Sequence, residues 1–151
     1  MMRRKVFIFG TGMTFLSVFL FALLLAGCGG PHSSPEKVAK AYVDALPSGD
    51  CQKISEFFDP TQQQAEYWHC MNPILKTSKV TKIQINEIIG TRQDRFGNTL
   101  VVMTGEFYRE VNSMGWKKEK CTTVTIPTIQ IGNKWYITPD PVDPFSSCQF
   151  Q

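Results

Sequence analysis

The pattern of apolar positions divides the chain into an apolar leader and a longer remainder with two different periods. Residues 6–25 form an almost continuous apolar run, interrupted only by Gly10, Thr11, Gly12, Thr14 and Ser17. Beyond residue 30 the apolar positions recur every three or four residues, and from Lys79 they recur nearly every second residue. This change of period predicts helices followed by strands.

Three helices are expected in the first half of the remainder. Ser34 before Pro35 predicts an N-cap with proline at the first helical position, while Ser33 with Glu36 would instead form a capping box. The apolar stripe of this first helix consists of Val38, Ala41, Tyr42, Ala45 and Leu46.

The second helix begins after Asp50, a favourable N-cap residue, and the Asp59-Pro60 pair ends it. Its apolar positions are Ile54, Phe57 and Phe58. Thr61 is expected to cap a third helix that runs to about Met71. In that helix, Ala65 and Trp68 are expected to face inward.

Four strands are expected from the alternating pattern in the second half: residues 79–90, 99–111, 116–131 and 135–138. In the second of these strands, Val101, Met103 and Phe107 are expected to share one face. Residues 93–98 are typical of a hairpin loop between the first two strands. Pro127 predicts a bulge or an edge position, because proline cannot donate a ladder hydrogen bond. The order of elements predicts an α+β fold, with N-terminal helices packed on a curved antiparallel sheet of about four strands.

The leader has the features of an export signal. A basic start (Arg3, Arg4 and Lys5) precedes the apolar run, and Leu25-Ala26-Gly27-Cys28 resembles the lipobox of bacterial lipoproteins. The resemblance implies that residues 1–27 are a signal peptide removed before Cys28, and that Cys28 carries the lipid. About 20 apolar residues could also span a bilayer as a helix. The interrupting glycines and threonines and the abrupt stop at Cys28 favour the signal peptide.

Cleavage before Cys28 would give a lipid-anchored protein on the extracytoplasmic face of the cell membrane. Residues 28–33 would form a short tether with a solvated His32, and residues 34–151 would form a single α+β domain. Removal of the leader lowers the Lys plus Arg total from 16 to 13, equal to the 13 acidic residues. A neutral domain gives no electrostatic reason to expect nucleic acid as a partner.

Four cysteines remain once Cys28 is assigned to the lipid, and an even number in an exported domain favours disulfides. Three pairings are conceivable. A tight turn at Asp59-Pro60 would make the second and third helices antiparallel, bringing Cys51 close to Cys70. Reflection through the turn near residues 132–133 places Cys121 close to Cys148. We therefore expect the pairs Cys51–Cys70 and Cys121–Cys148.

A metal site is the competing interpretation of the first pair, with His69 beside Cys51 and Cys70 as ligands. Their spacing matches none of the common zinc patterns, and thiols outside the cytosol tend to oxidise. The sequence therefore predicts no metal and no cofactor.

Residues 34–58 resemble the opening of small bacterial lipoproteins in the nuclear-transport-factor-2-like (cystatin-like) superfamily. The shared features are an amphipathic helix, a Gly-Asp turn and a second helix with paired aromatic residues; here they correspond to Leu46, Gly49, Asp50, Phe57 and Phe58. The resemblance implies a sheet curled into a cone with a cavity. Some members of that superfamily are isomerases or dehydratases, and many bind partners without catalysis.

An enzyme of this fold would need ionisable groups that point into the cone. The candidates are Tyr42, Asp44, Tyr67, His69, Glu106 and Tyr108. Tyr42 lies on the inward stripe and is the candidate cavity residue, although an ordinary core tyrosine would occupy the same position. Asp44 and Glu106 are expected to face outward, and His69 is expected to lie on the surface beside the disulfide. No catalytic residue is assigned.

Trp116 is the aromatic residue least expected in the core, because it follows a hairpin end and precedes Lys117 and Lys118, with Lys120 nearby. An exposed tryptophan beside lysines could bind a partner protein, an anionic polymer or lipid headgroups. Alternatively, Trp116 packs back on the sheet and the lysines protect an edge strand.

The sequence thus predicts a membrane-anchored, non-catalytic binding or interaction module. Its partners would be membrane lipid through the acyl anchor, and an envelope protein or a small ligand through the domain. The alternatives are a small-molecule lyase or isomerase-like enzyme that uses the cone cavity, and an accessory subunit of an envelope assembly.

Overall fold

The computed structural model describes residues 29–72, 78–112, 116–139, 145 and 149–150. The predicted signal peptide, Cys28 and Cys148 lie outside the described residues. The chain divides into two compact units, Met1–Gly30 and Pro31–Gln151. Within the described part, no helix is both long enough and apolar enough to cross a membrane.

The first helix, α1, spans Pro35–Ala45 and begins as the sequence predicts. The Ser34 side chain accepts a hydrogen bond from the backbone N–H of Lys37, and Pro35 takes the first helical position, where a missing N–H costs nothing. This geometry selects Ser34 over Ser33 as the cap. The helix buries Val38, Ala39, Val43 and Ala45.

The second helix, α2, spans only Cys51–Ser55. The Asp50 carboxylate accepts a hydrogen bond from Lys53 N at 3.2 Å, which confirms the predicted cap. Gly49 supplies the left-handed backbone (φ +64°) that turns the chain into this cap. The three predicted apolar positions are all buried: Ile54, Phe57 and Phe58.

The third helix, α3, spans Gln63–Met71, and its predicted orientation is wrong. Thr61 is not its cap, since the helix begins after Gln62 without a side-chain cap. Trp68 is 61% exposed and Ala65 is also exposed, so neither faces the core. The helix buries none of its residues. It lies on the surface of the domain, and the disulfide described below fixes one of its ends.

The sheet is antiparallel and its main path follows the chain order β1-β2-β3-β4. Its strands are β1 (Ser78–Gln93), β2 (Thr99–Asn112), β3 (Trp116–Ile131), β4 (Lys134–Ile137) and the short β5 (Gln149–Phe150), which pairs with β3. Helices α1 and α2 pack against one face, which we call the inner face. These elements confirm the predicted α+β fold.

The core lies between α1, α2 and the inner face of the sheet. Val101, Met103 and Phe107 are fully buried, which confirms the face predicted for β2. Their neighbours on β3, opposite them in register, are Ile126, Val124 and Cys121. Side chains at the intervening positions of β2 and β3 point to the opposite face, which we call the outer face.

Pro127 lies in an interior strand, yet it breaks no ladder bond. The β2–β3 register runs unbroken past it, so no bulge is present there. In an antiparallel strand the N and C=O of one residue point the same way. Its C=O accepts from Thr138 N, just past the end of β4, so its nitrogen also points to the side where pairing with β4 has ended. Pro127 therefore lies where the pairing of β3 with β4 ends, rather than at a bulge or in an edge strand.

The prediction of a solvated His32 is wrong. Residues Pro31–Ser33 form a turn of 3-10 helix, and His32 Nδ1 lies 2.6 Å from the backbone oxygen of Trp135 on β4. The imidazole centroid lies 4.9 Å from the ring of Tyr136 and 6.3 Å from that of Phe57. The packed domain therefore begins at Pro31 rather than at residue 34.

The first predicted disulfide, Cys51–Cys70, is present, with 5.6 Å between the Cα atoms. The two sulfur atoms are bonded to each other, so they do not form the alternative metal site with His69. Cys121 is also disulfide-bonded. Its predicted partner Cys148 lies outside the described residues, so that pairing stays a prediction.

A buried ion pair lies on the inner face, near the end of the sheet where β2 ends and β3 begins. Arg109 Nε donates to Glu119 Oε2 at 2.6 Å, and both side chains are at most one-tenth exposed. Phe145 covers this region, with its ring 6.3 Å from that of Phe107 and the Arg109 guanidinium 5.6 Å from its centre. Phe145 therefore covers the inner face at this end.

Candidate functional site

The six ionisable candidates for an enzyme do not converge. Tyr42 is half-buried on α1 and packs edge-on against the rings of Phe57 and Phe58. Glu106 and Tyr108 lie on the outer face of β2, on the other side of the sheet. This separation gives the enzyme alternative no support.

The remaining candidates lie on the helical surface. Asp44 is exposed and pairs with Lys40 at 2.5 Å, as its predicted outward position implies. His69 is exposed on α3, and the neighbouring Tyr67 packs edge-on against Trp68. Among the described residues, no group of three potential ligands is close enough to hold a metal ion.

Trp116 is exposed, with 56% of its surface open to solvent. It lies opposite Asn112, at the end of the sheet where β2 ends and β3 begins. Strand alternation places Lys118 on the same outer face, whereas Lys117 points to the inner face together with Glu119. The predicted trio is therefore split, and Trp116 and Lys118 are the two members that share a surface.

The strand register adds residues that the linear sequence did not reveal. Lys82 on β1, Tyr108 on β2 and Lys120 on β3 form one row across the outer face. The next row toward the hairpin end contains Lys79, Glu110 and Lys118. We call these six residues, with Glu106 and Trp116, the lysine–aromatic face.

Tyr108 is the centre of this face. Lys82 Nζ and Lys120 Nζ lie 5.6 Å and 5.4 Å from the centre of its ring, within the range of cation–π attraction. Its hydroxyl donates to Glu106 Oε2 at 3.2 Å, and Lys120 Nζ donates to Glu106 Oε1 at 2.6 Å. These contacts hold the phenol ring between two ammonium groups.

The electrostatics follow from the same contacts. The hydrogen bond and positive charge of Lys120 hold the pKa of Glu106 below its usual value, with a smaller contribution from the Tyr108 hydroxyl. The hydrogen bond to Glu106 in turn raises the pKa of Lys120. This pair is therefore charged at neutral pH and neutralises itself.

Three further lysines of the face, Lys79, Lys82 and Lys118, form no ion pair within the described residues. All three are exposed; Lys82 also helps to lower the pKa of Glu106 through its charge, and Glu110 lies opposite both Lys79 and Lys118. The face is therefore net positive and carries two aromatic rings. Such a surface can bind carboxylates through its ammonium groups and an apolar or cationic side chain through its indole.

Part of this face was predictable from the β2–β3 register. A hairpin centred near residue 114 pairs residue 108 with residue 120, and the alternation would have separated Lys117 from Trp116. The position of Lys82 could not be predicted in this way, because three register shifts interrupt the β1–β2 ladder.

Comparison with family models, curated proteins and solved structures finds no match to this chain. The fold and the surface together define an α+β domain with helices on one face of an antiparallel sheet. The opposite face carries an exposed cationic and aromatic surface at one end.

Proposed function

We propose that this protein is a lipoprotein, anchored through Cys28 on the extracytoplasmic face of a bacterial membrane, that acts as a non-catalytic interaction module. Its binding surface is the lysine–aromatic face, and its partner is an acidic region of another envelope protein. The observation that carries the proposal is the exposed Trp116 indole, which shares its face with Lys79, Lys82 and Lys118, three lysines that form no ion pair within the described residues.

The position of this face relative to the anchor supports the proposal. The chain enters the domain at His32, which contacts β4 at Trp135, opposite Gln130 of β3. Trp116 lies 14 residues along β3 from Gln130, a path of up to roughly 46 Å in an extended strand. The face therefore lies at the end of the sheet remote from His32, where an envelope protein can reach it.

Anchoring also explains how a modest surface could suffice. Tethering to the same membrane as the partner raises the effective concentration of both, so that a weak contact can be occupied. The net positive charge would speed encounter with an acidic surface and make binding sensitive to salt.

The test is photo-crosslinking in intact cells, with a benzophenone amino acid replacing Trp116. A crosslink to an envelope protein is expected, and the substitutions Lys82→Glu and Lys118→Glu should abolish it. Lys53→Glu, an exposed lysine on α2, is the matched control and should leave the crosslink unchanged. Persistence of the crosslink in the variant that carries both Lys82→Glu and Lys118→Glu would overturn the proposed surface.

The anchor is tested separately by mass spectrometry of the protein purified from its membrane. The expected amino terminus is Cys28 with added acyl mass. A chain that begins at Met1, or lacks the acyl mass, would overturn the lipoprotein assignment and leave the crosslinking result to be judged alone.

A further inference from the structure

Two hairpin tips project from the same end of the sheet. The β1–β2 loop (residues 94–98) directly precedes Thr99, and Thr99 lies opposite Thr128 on β3. Strand β3 continues three residues to Ile131, where Gly132 and Asn133 form the tip with β4. Neighbouring strands are about 4.8 Å apart, so the two tips lie roughly 10 Å from each other.

These tips expose large apolar side chains. Phe96 is 75% exposed, Ile131 is 44% exposed and Ile129, on the same face of β3 as Ile131, is 37% exposed. Exposure of apolar side chains of this size to water is unfavourable. Their proximity at one sheet end therefore marks a contact surface.

Cationic side chains accompany the apolar ones. The Arg95 guanidinium lies 4.7 Å from the centre of the Phe96 ring, and Arg92 and Lys134 are also exposed. A mixture of exposed Phe and Ile with Arg and Lys is the composition that suits the headgroup region of a bilayer, since apolar parts enter it and cations meet lipid phosphates.

The acidic residue of the β1–β2 loop does not offset this charge toward a partner. Asp94 Oδ1 accepts hydrogen bonds from Phe96 N and Asn98 N, and Oδ2 accepts one from Asn98 Nδ2. Desolvation raises the pKa of Asp94, but these hydrogen bonds outweigh it and the pKa lies below its usual value. The carboxylate is thus directed into its own loop and serves to shape the tip.

The point where the chain joins the domain lies at this same end. His32 contacts the backbone of Trp135, one residue from the start of β4 at Lys134. Cys28 precedes His32 by four residues, a reach of at most about 14 Å. From residue 25, seven residues before His32, the reach is at most about 25 Å. A membrane attachment at Cys28, or through the apolar segment 6–25, therefore keeps these two tips within reach of the bilayer.

We infer that the tip surface, formed by Arg92, Arg95, Phe96, Ile129, Ile131 and Lys134, rests in the headgroup region of an anionic phospholipid bilayer. The inference rests on the membrane attachment in the proposed function, but not on acylation itself or on the partner of the lysine–aromatic face. Contact at the tips fixes the orientation of the domain. The lysine–aromatic face is then held away from the lipid.

The test is hydroxyl-radical footprinting of the full-length protein, purified from its membrane and reconstituted into vesicles of phosphatidylglycerol and phosphatidylcholine. Oxidation of Phe96 and Ile131 is compared with that in a variant carrying Arg92→Glu, Arg95→Glu and Lys134→Glu. Both side chains should be oxidised several-fold more slowly in the unaltered protein. Trp68 and Trp116 are internal references and should react equally in the two proteins.

A second variant controls for charge. Lys79→Glu with Lys82→Glu and Lys118→Glu alters the remote end of the sheet and should leave the protection of Phe96 and Ile131 unchanged. Equal oxidation of these side chains in the unaltered and tip-reversed proteins would overturn the inference, as would protection of Trp116 by the vesicles. Loss of the Trp116 crosslink or of the acyl mass bears on the proposed function alone, so the two failures can be told apart.

Discussion

Helix α3 provides a quantitative test of what the Cys51–Cys70 disulfide does. The helix buries none of its residues, and a free helix of nine residues is marginal in water. Besides the disulfide, Gln63 Nε2 donates to the Phe58 carbonyl at 3.0 Å. Replacement of both cysteines by alanine should therefore release α3, while α2 stays in place through the buried Phe57 and Phe58.

The expected magnitude follows from the closed loop. The two cysteines are 19 residues apart, and the chain-entropy model gives about 3 kcal/mol for a loop of that length. This value is an upper bound for release of α3, because the part of the loop in α2 remains ordered. A change of 3 kcal/mol corresponds to about 150-fold faster amide exchange.

Hydrogen exchange measured by mass spectrometry distinguishes local from global loss. Peptides covering α3 should lose up to that factor of protection in the Cys51→Ala, Cys70→Ala variant, whereas peptides covering β2 should keep theirs. The variant is preferable to a reducing agent, because Cys121 is disulfide-bonded as well. Unchanged protection of α3, or equal loss in β2, would refute the reasoning that the disulfide is the main attachment of this helix.

Three further substitutions test the sheet. A Cβ at Gly105 would lie 2.1 Å from the backbone oxygen of Gln84, so Gly105→Ala should cost about 1–3 kcal/mol in urea denaturation, and a neutral result would refute the close packing. Arg109→Met should lower the free energy of unfolding by about 3–5 kcal/mol, because it leaves the buried Glu119 carboxylate without its ion-pair partner. Adding Glu119→Leu should restore most of this stability, and additive losses would contradict the reasoning. Because the pKa of Asp94 is lowered on folding, its stabilisation is present above the ordinary value and is lost as pH falls through the lower folded value. Thermal melts should therefore show a stability advantage over Asp94→Asn at neutral pH that disappears at strongly acidic pH, and a constant difference would contradict it.

The parts of the fold that were predictable are those fixed by local pattern. Period-two alternation identified the buried face of β2, because it places the apolar side chains of Val101, Met103 and Phe107 on the same face, which must be the buried one. The cap of α2 was equally readable, since the Asp50 carboxylate satisfies an N–H only three residues away.

The parts that were not predictable depend on contacts remote in sequence. His32 packs against Trp135, which lies 103 residues away. Trp68 faces solvent because a covalent bond, rather than an apolar face, holds α3 to the domain. The register of β1 depends on three irregularities, so the row that joins Lys82 to Tyr108 could not be placed from the sequence.

The packing of the two faces of the sheet favours the outer face as the proposed binding surface. At the hairpin end, the inner face is filled by Phe145 and by the buried pair of Arg109 and Glu119. A partner approaching from that side would have to displace an aromatic ring and expose paired charges, which is costly. The outer face at the same end presents lysine side chains that are already solvated. The aliphatic parts of these lysine side chains and the indole of Trp116 can contact a partner without any change in the packing of the domain.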